Sequence, residues 1–173
     1  MQRFFDILFS GLALVVFSPF LIPIAIALKL SGEGEIFYVQ QRIGKDGKLF
    51  GLMKFATMLK DSPNMAMGTV TVKNDPRVLP FGGFLRKSKI NELPQLLNIF
   101  LGDMSVIGPR PQTERCFLAF PQISQDAIVK VKPGLSGIGS IVFRDEETIL
   151  DDPEIDRLKF YDDEIAPYKG ELE

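Results

Sequence analysis

The stretch Leu85–Gln112, LRKSKINELPQLLNIFLGDMSVIGPRPQ, sets two arginines, Arg86 and Arg110, on either side of a short amphipathic helix. Pro94 suits the first helical position, where a missing N–H costs nothing. Leu93, Leu96, Leu97, Phe100 and Leu101 recur at helical spacing, and Gly102 is a natural stop. The start of such a helix carries free amides and a partial positive charge, which favours anions. Arg86 precedes it closely, Arg110 sits in the rigid turn Gly108-Pro109-Arg110-Pro111, and the carboxylate of Glu92 stands at the mouth. This layout suits the handling of phosphate.

The 173 residues amount to about one domain, with a net charge of −2 that is unevenly spread. From Gln40 to Ile90 there are ten Lys/Arg against three Asp/Glu, and from Arg144 onward four against twelve. The basic middle suits an anionic ligand or a membrane surface. The acidic end reads as a solvated face or a metal-rich rim. One cysteine, Cys116, excludes an internal disulfide and reads as a core residue. The absence of histidine excludes Ser-His, Cys-His and His-metal chemistry, leaving acid–base work to carboxylates, lysines or tyrosines.

Ile7–Leu28 is apolar apart from Ser10, Gly11, Ser18, Pro19 and Pro23. Its length suits a membrane helix. A cleaved signal is disfavoured by the weak charged start, where Asp6 follows Arg3, and by the lack of a small-x-small cleavage site before Lys29. Each proline deletes a helical hydrogen bond, and Ser18 is placed to satisfy a freed carbonyl. Basic residues on both flanks, Arg3 and Lys29, give no orientation for a spanning helix. A bent, re-entrant helix explains prolines and flanks together, with a spanning helix as the alternative. The division expected is a membrane helix over residues 1–30 and a globule over 31–173.

Beyond the polar hinge at Ser31–Gly34, Ile36–Val39 and Leu49–Phe55 read as strands joined by a turn at Lys45-Asp46-Gly47. Thr69–Val72 is a short β-branched run, followed by a turn at Asn74-Asp75-Pro76. Glu114–Phe120 reads as helix, Ala127–Val131 as helix or strand, and Lys132-Pro133-Gly134 as a turn. Asp152-Pro153 reads as the start of a last helix carrying Ile155, Leu158, Tyr161 and Ile165, ending at Pro167. The fold class expected is α+β and helix-rich: a re-entrant membrane helix bent at Ser18-Pro19, amphipathic interfacial helices and a small β-hairpin or sheet.

The segments MQRFFDILFSGLALVVFSP, QQRIGKDGKLFGLMKF, NDPRVLPFGGFLRKSKINELPQLLNIFLGDMSVIGPRP and VKPGLSGIGSIVFR occur in an order that resembles bacterial sugar transferases of the small monotopic phosphoglycosyl transferase type. The resemblance covers nearly the whole chain. It implies transfer of a sugar 1-phosphate from a UDP-sugar to a polyprenyl phosphate such as undecaprenyl phosphate, with release of UMP and with Mg²⁺. It places the protein at the cytoplasmic face of the bacterial inner membrane, where glycan assembly begins. Membrane lipids, a second copy of the chain and downstream glycosyltransferases are the further partners implied. Nucleic acid is not expected, since a membrane anchor would be unusual for it.

Residue by residue, the resemblance matches the family's re-entrant bend to Ser18-Pro19 and its phosphate-binding arginines to Arg86, Arg110 and Arg144. Lys54 falls on the lysine of the basic strand motif. The family's catalytic pair, usually Asp-Glu, falls on Asn91-Glu92. The aspartate of that pair attacks the sugar-bearing phosphate, and an uncharged carboxamide is a poor nucleophile and a weak magnesium ligand. Three versions of the chemistry follow: attack by Glu92, direct attack by the polyprenyl phosphate, or loss of turnover with binding retained. The usual Lys-Phe-Arg motif reads Lys54-Phe55-Ala56, so one cation is missing. Family members also continue past the position of Glu173 with an aromatic segment. Metal ligands are expected at Glu92 and Asn91, with Asp162 and Asp163 as further candidates from the C-terminal helix.

Each of these residues also has a plainer reading. Arg86 could be a surface cation, Glu92 a carboxylate favoured by the helix dipole, and Asn91 a helix cap. Arg144 could form a solvated ion pair and Asp162-Asp163-Glu164 a solvated face.

Overall fold

A computed structural model describes residues 1–65, 75–144, 146–150 and 156–173. The run at Thr69–Val72, Asn74 and the pair Asp152-Pro153 lie outside the described residues. The first element, α1, is an unbroken helix from Gln2 to Leu30 that contains Pro19 and Pro23. It is long and apolar enough to cross a membrane, and almost none of its apolar middle is covered by the rest of the chain. Phe4, Leu12, Val15, Phe20 and Ile22 are all well exposed. Pro19 has no N–H to offer the carbonyl of Val15, and the Ser18 hydroxyl donates to that oxygen at 2.8 Å. That hydrogen bond matters most where water is absent.

The chain resolves into two compact units. The first comprises residues 1–40 and 52–100, so it holds α1 together with part of the globule. The boundary expected at residue 30 separates membrane segment from remainder and is a different kind of division. Strands β1 (Phe37–Ile43) and β2 (Leu49–Phe55) form a two-stranded sheet. Their connection, Lys45–Gly47, is a 3-10 turn in which Asp46 and Gly47 adopt φ of 59° and 71°. These are the left-handed values that an Asp-Gly pair tolerates.

In the first unit, α2 (Pro80–Lys87) opens with proline and ends with Arg86 and Lys87, the favourable charge sign for that end. Leu28, Phe55 and Leu85 form a core joined by Leu21, Ile24, Phe81 and Ile90. Each such buried side chain contributes about 1.5–3 kcal/mol. Gly82 lies against the backbone of Thr57, where a Cβ would meet the carbonyl oxygen at 2.2 Å. Arg77 and Asp75 are both buried, and the guanidinium bonds both carboxylate oxygens and the Ser62 carbonyl. The neighbouring carboxylate raises the Arg77 pKa further.

A 3-10 turn over Ile90–Glu92 follows α2 and packs against it. The helix expected from Pro94 starts one residue later, as α3 (Gln95–Leu101). It stops at Gly102, whose φ of 109° ends it as anticipated. Its buried face differs from the leucine spacing. Gln95, Leu96, Asn98 and Ile99 are buried, whereas Phe100 and Leu101 are exposed. The reason is polar: Asn98 Oδ1 accepts the Met53 N–H of β2 at 2.9 Å, which turns the asparagine inward.

The second unit comprises residues 41–51 and 101–173. In it β3 (Ser105–Ile107) pairs in parallel with β4 (Gly134–Ser136), Ser105 opposite Gly134. Helix α4 (Glu114–Leu118) is capped by Thr113, whose hydroxyl accepts the Cys116 N–H. Helix α5 (Gln122–Ile128) takes in Ala127 and Ile128 of the ambiguous Ala127–Val131 segment. Short helices α6 (Ile138–Val142) and α7 (Glu146–Ile149) follow.

The last helical run starts at Asp156, which caps α8 (Arg157–Phe160). It widens into a π turn over Tyr161–Ile165 and continues as α9 (Ala166–Leu172). Pro167 therefore does not end the helix. The widened turn just before it removes the clash its ring would have with the preceding turn. Phe120, Leu150, Tyr161, Ile165 and Ala166 make the core of this unit. Cys116 packs at its edge, and Lys169 is buried between the Phe143 and Tyr161 rings while paired with Glu146.

Candidate active site

Within the first unit, β2 and the Ile90–Glu92 turn bring Lys54 and Glu92 together. Lys54 Nζ lies 3.9 Å from a Glu92 carboxylate oxygen, with both side chains about one-fifth exposed. At that distance the two charges form an ion pair without a direct hydrogen bond between them. Arg86, one helix earlier, is half-buried with its guanidinium 3.7 Å from the Met58 sulfur. Its helix packs directly on the turn that carries Glu92.

Asn91 is buried, 7% exposed, and its Oδ1 has no hydrogen-bond partner. It makes no cap: the residue before the 3-10 turn is Lys89, in the left-handed region at φ 60°. The capping reading of Asn91 is therefore corrected. A buried carbonyl oxygen without a donor costs free energy unless something supplies a positive partner. Glu92, by contrast, is the reachable carboxylate of the pair.

Magnesium is usually held by one or two carboxylates plus water and substrate phosphates. The orphaned Asn91 Oδ1 and the adjoining Glu92 carboxylate fit such a shared ion. They do not fit an all-protein cage, because no cluster of three His, Cys, Asp or Glu occurs among the described residues.

The second unit holds the other arginines. Arg110 lies between Pro109 and Pro111; its N–H donates to Glu173 Oε2 at 3.0 Å and its carbonyl accepts from the Gln112 side chain at 3.1 Å. The turn is thus fixed at both its donor and its acceptor. A small cavity beside it is lined by Ile43, Gly44, Pro109, Arg110, Gln112 and Pro133. The Glu173 carboxylate reaches the same turn and rests against Gly139, with its pKa raised chiefly by burial. Arg144 is exposed after α6. On the π turn, Asp162 Oδ2 accepts from Arg115 at 2.9 Å while its Oδ1 is buried without a hydrogen-bond partner, and Asp163 is exposed.

Four residues have roles that the sequence did not show. Arg3, taken as a flanking charge, donates to the Ile99 and Phe100 carbonyls at the end of α3. Asn98 ties α3 to β2. Asp75 and Arg77 form a buried pair where the sequence showed only a turn and one cation in a basic stretch. The Asp-Pro-Arg spacing was the available signal for that pair.

Comparison with known proteins identifies the family. A model of the bacterial sugar transferase family matches residues 1–163. The chain is 39% identical over 143 residues to the UDP-glucose:undecaprenyl-phosphate glucose-1-phosphate transferase of Escherichia coli (strain K12), covering 82% of this chain and 31% of that protein. It is 36% identical over 159 residues to the exopolysaccharide production protein ExoY of Rhizobium meliloti (strain 1021), covering 84% of this chain and 70% of that one. It is 44% identical over 110 residues to the exopolysaccharide production protein PSS of Rhizobium leguminosarum bv. phaseoli, covering 64% and 55%. The chain spans less than a third of the Escherichia coli relative's length. With a match that runs from the first residue into the π turn, this chain belongs to the bacterial sugar transferase family.

Proposed function

We propose that the protein transfers a sugar 1-phosphate from a UDP-sugar to undecaprenyl or another polyprenyl phosphate, releasing UMP, as an opening step of bacterial glycan assembly such as exopolysaccharide, O-antigen or glycoprotein synthesis. The observation that carries this reading is the Lys54–Glu92 pair, a part-exposed carboxylate beside a cation, in the unit that also contains the apolar helix. The names of the relatives supply the substrate class, a UDP-glucose donor and an undecaprenyl phosphate acceptor. The exposed apolar surface of α1 suits the bilayer in which such an acceptor resides. The re-entrant form, with both ends on the cytoplasmic face of the inner membrane, is supported by the prolines and by the Ser18 hydrogen bond.

In the chemical step, a Glu92 oxygen attacks the sugar-bearing phosphorus and the bond from that phosphorus to the UMP oxygen breaks. A polyprenyl phosphate oxygen then attacks the same phosphorus and releases the Glu92 carboxylate. Lys54 offsets charge on the reacting groups. Asn91 keeps its amide and does not attack. Glu92 and Asn91 Oδ1, with substrate phosphate, would hold a magnesium ion, which neutralises diphosphate charge and favours departure of UMP.

UMP release measured across a panel of UDP-sugars, with undecaprenyl phosphate present and absent, tests the reading. Intact-protein mass after incubation with UDP-sugar and Mg²⁺ alone tests the covalent step. Turnover with lipid but no mass increase would exclude Glu92 as nucleophile in favour of direct attack. A second reading is favoured by the buried Asn91 side chain with its unpartnered Oδ1: a relative that binds nucleotide sugar or recruits partners without turnover. It predicts UDP-sugar binding without UMP release, and activity gained by Asn91→Asp.

A further inference from the structure

Helix α3 is only seven residues long, too short to hold itself in place by its own hydrogen bonds. Leu96 and Ile99 bury its inner face, and contacts near its beginning, middle and end tie it to its surroundings. Three residues before its start, in the preceding turn, Glu92 pairs with Lys54 of β2 at 3.9 Å. One turn into the helix, Asn98 accepts from Met53 of the same strand. At the end, the carbonyls of Ile99 and Phe100 accept the two terminal nitrogens of Arg3. These are among the last carbonyls of the helix, which lack partners within it and carry its partial negative charge.

Arg3 lies in the first turn of α1, ninety-six and ninety-seven residues away in sequence. The same face of α1 carries Asp6 and Ser10, the buried polar groups of a helix whose other surfaces are largely apolar and exposed. Gly11 completes the contact: a Cβ there would stand 3.3 Å from the Phe100 ring. Small and polar residues on one face of an otherwise lipophilic helix allow close approach to protein and are costly toward hydrocarbon. This end of α1 is therefore built to dock on α3.

We propose that Arg3 is a positioning residue for the Asn91–Glu92 turn, clamping the far end of α3 so that the Glu92 carboxylate is presented only when the first turns of the membrane helix are docked. The planar guanidinium can bond two carbonyls at once, whereas a lysine ammonium is a single point charge without that fork. The clamp acts on the helix as a body: releasing one end of so short an element lets its other end pivot on the Lys54 contact. The membrane helix thereby becomes part of the catalytic geometry as well as an anchor. The kinetic part of this inference rests on the transfer activity proposed above; the structural part does not.

The test uses the full chain on vesicles of phosphatidylethanolamine and phosphatidylglycerol, with Arg3→Lys, Arg3→Gln and Gly11→Leu. Three quantities are read: co-sedimentation with vesicles, kcat and KM for UDP-glucose with undecaprenyl phosphate, and hydrogen exchange at the Glu92, Leu93, Leu96 and Leu97 amides. The expected result is full vesicle binding, unchanged KM, and kcat lowered by about ten- to a hundredfold, as for a misplaced catalytic group. Exchange at the four amides rises in all three variants, and Gly11→Leu produces the effect with Arg3 intact. Variants that leave the vesicles would show Arg3 to be an anchor and overturn the proposal. Wild-type kcat, or unchanged exchange at the four amides, would overturn it equally. If the parent protein releases no UMP from UDP-glucose, the transfer reading fails for that donor and exchange alone decides the clamp.

Discussion

Lys54 Nζ faces the Glu92 carboxylate at 3.9 Å, within ion-pair range and too far for a hydrogen bond between them. The pairing places the carboxylate beside a cation while it stays about one-fifth exposed. Glu92→Gln keeps shape and removes charge, so UMP release should fall by at least about a thousandfold with folding intact. Lys54→Met should cost about a hundredfold in kcat, the scale for losing one preorganised electrostatic group. Thermal melts in detergent should move little for either, because part-exposed pairs contribute about 1 kcal/mol or less.

Asp75→Asn leaves the Arg77 guanidinium buried without its counter-charge. The expected loss is about 3–5 kcal/mol in urea denaturation, the range for breaking one side of a buried pair. Arg77→Lys should be nearly as harmful, since one ammonium cannot span two carboxylate oxygens and the Ser62 carbonyl. Unaltered stability in both would show that the pair is dispensable.

Gly134→Ala should separate β3 from β4. A Cβ at Gly134 would lie 2.1 Å from the Gly108 nitrogen and 2.5 Å from its oxygen, both backbone atoms that have no rotamer to escape into. A loss of about 3 kcal/mol is expected, the upper end of ordinary overpacking. Urea midpoints with near-equal slopes would confirm it, and an unchanged midpoint would refute it.

Glu173 supplies a pH dependence. Burial lifts its pKa above the usual 4.5, partly opposed by the Arg110 N–H and by the charges of Lys169 and Arg110. The folded state then binds the proton more tightly than the unfolded chain. This stabilising contribution is complete below the unfolded pKa and is lost as pH rises through the folded one. Glu173→Gln cannot lose that proton, so its stability relative to the parent should improve as pH rises above the unfolded-state carboxylate range. A parallel pair of stability–pH curves would contradict the assignment.

The parts of this fold that were legible in the sequence were those fixed by local backbone chemistry. Asp46-Gly47 had to take left-handed values, and Gly102 had to end a helix. The Ser18–Val15 bond followed from counting back four residues from Pro19. What stayed hidden depends on partners distant in the chain. Asn98 turns inward because of Met53, which displaces Phe100 and Leu101 to the surface against the leucine pattern. The β3–β4 pair joins three-residue strands with no periodicity to read. At the site, the types of Lys54, Asn91 and Glu92 could be named in advance, but their unequal burial could not. Arg3 looked like a flank because its acceptors are backbone carbonyls, which every sequence has everywhere.

The π turn at Tyr161–Ile165 has a consequence for counting. Each residue advances a helix by about 100°, so the extra residue in this turn sets the clock angle of everything after it. Lys169 reaches Glu146, and Glu173 reaches the Arg110 turn, only at that setting. Deleting a single residue within 161–165 would act as a rotation on groups it never touches. The buried cation and the carboxylate at Gly139 would swing away together, and the fault would surface a full turn or two downstream of its cause.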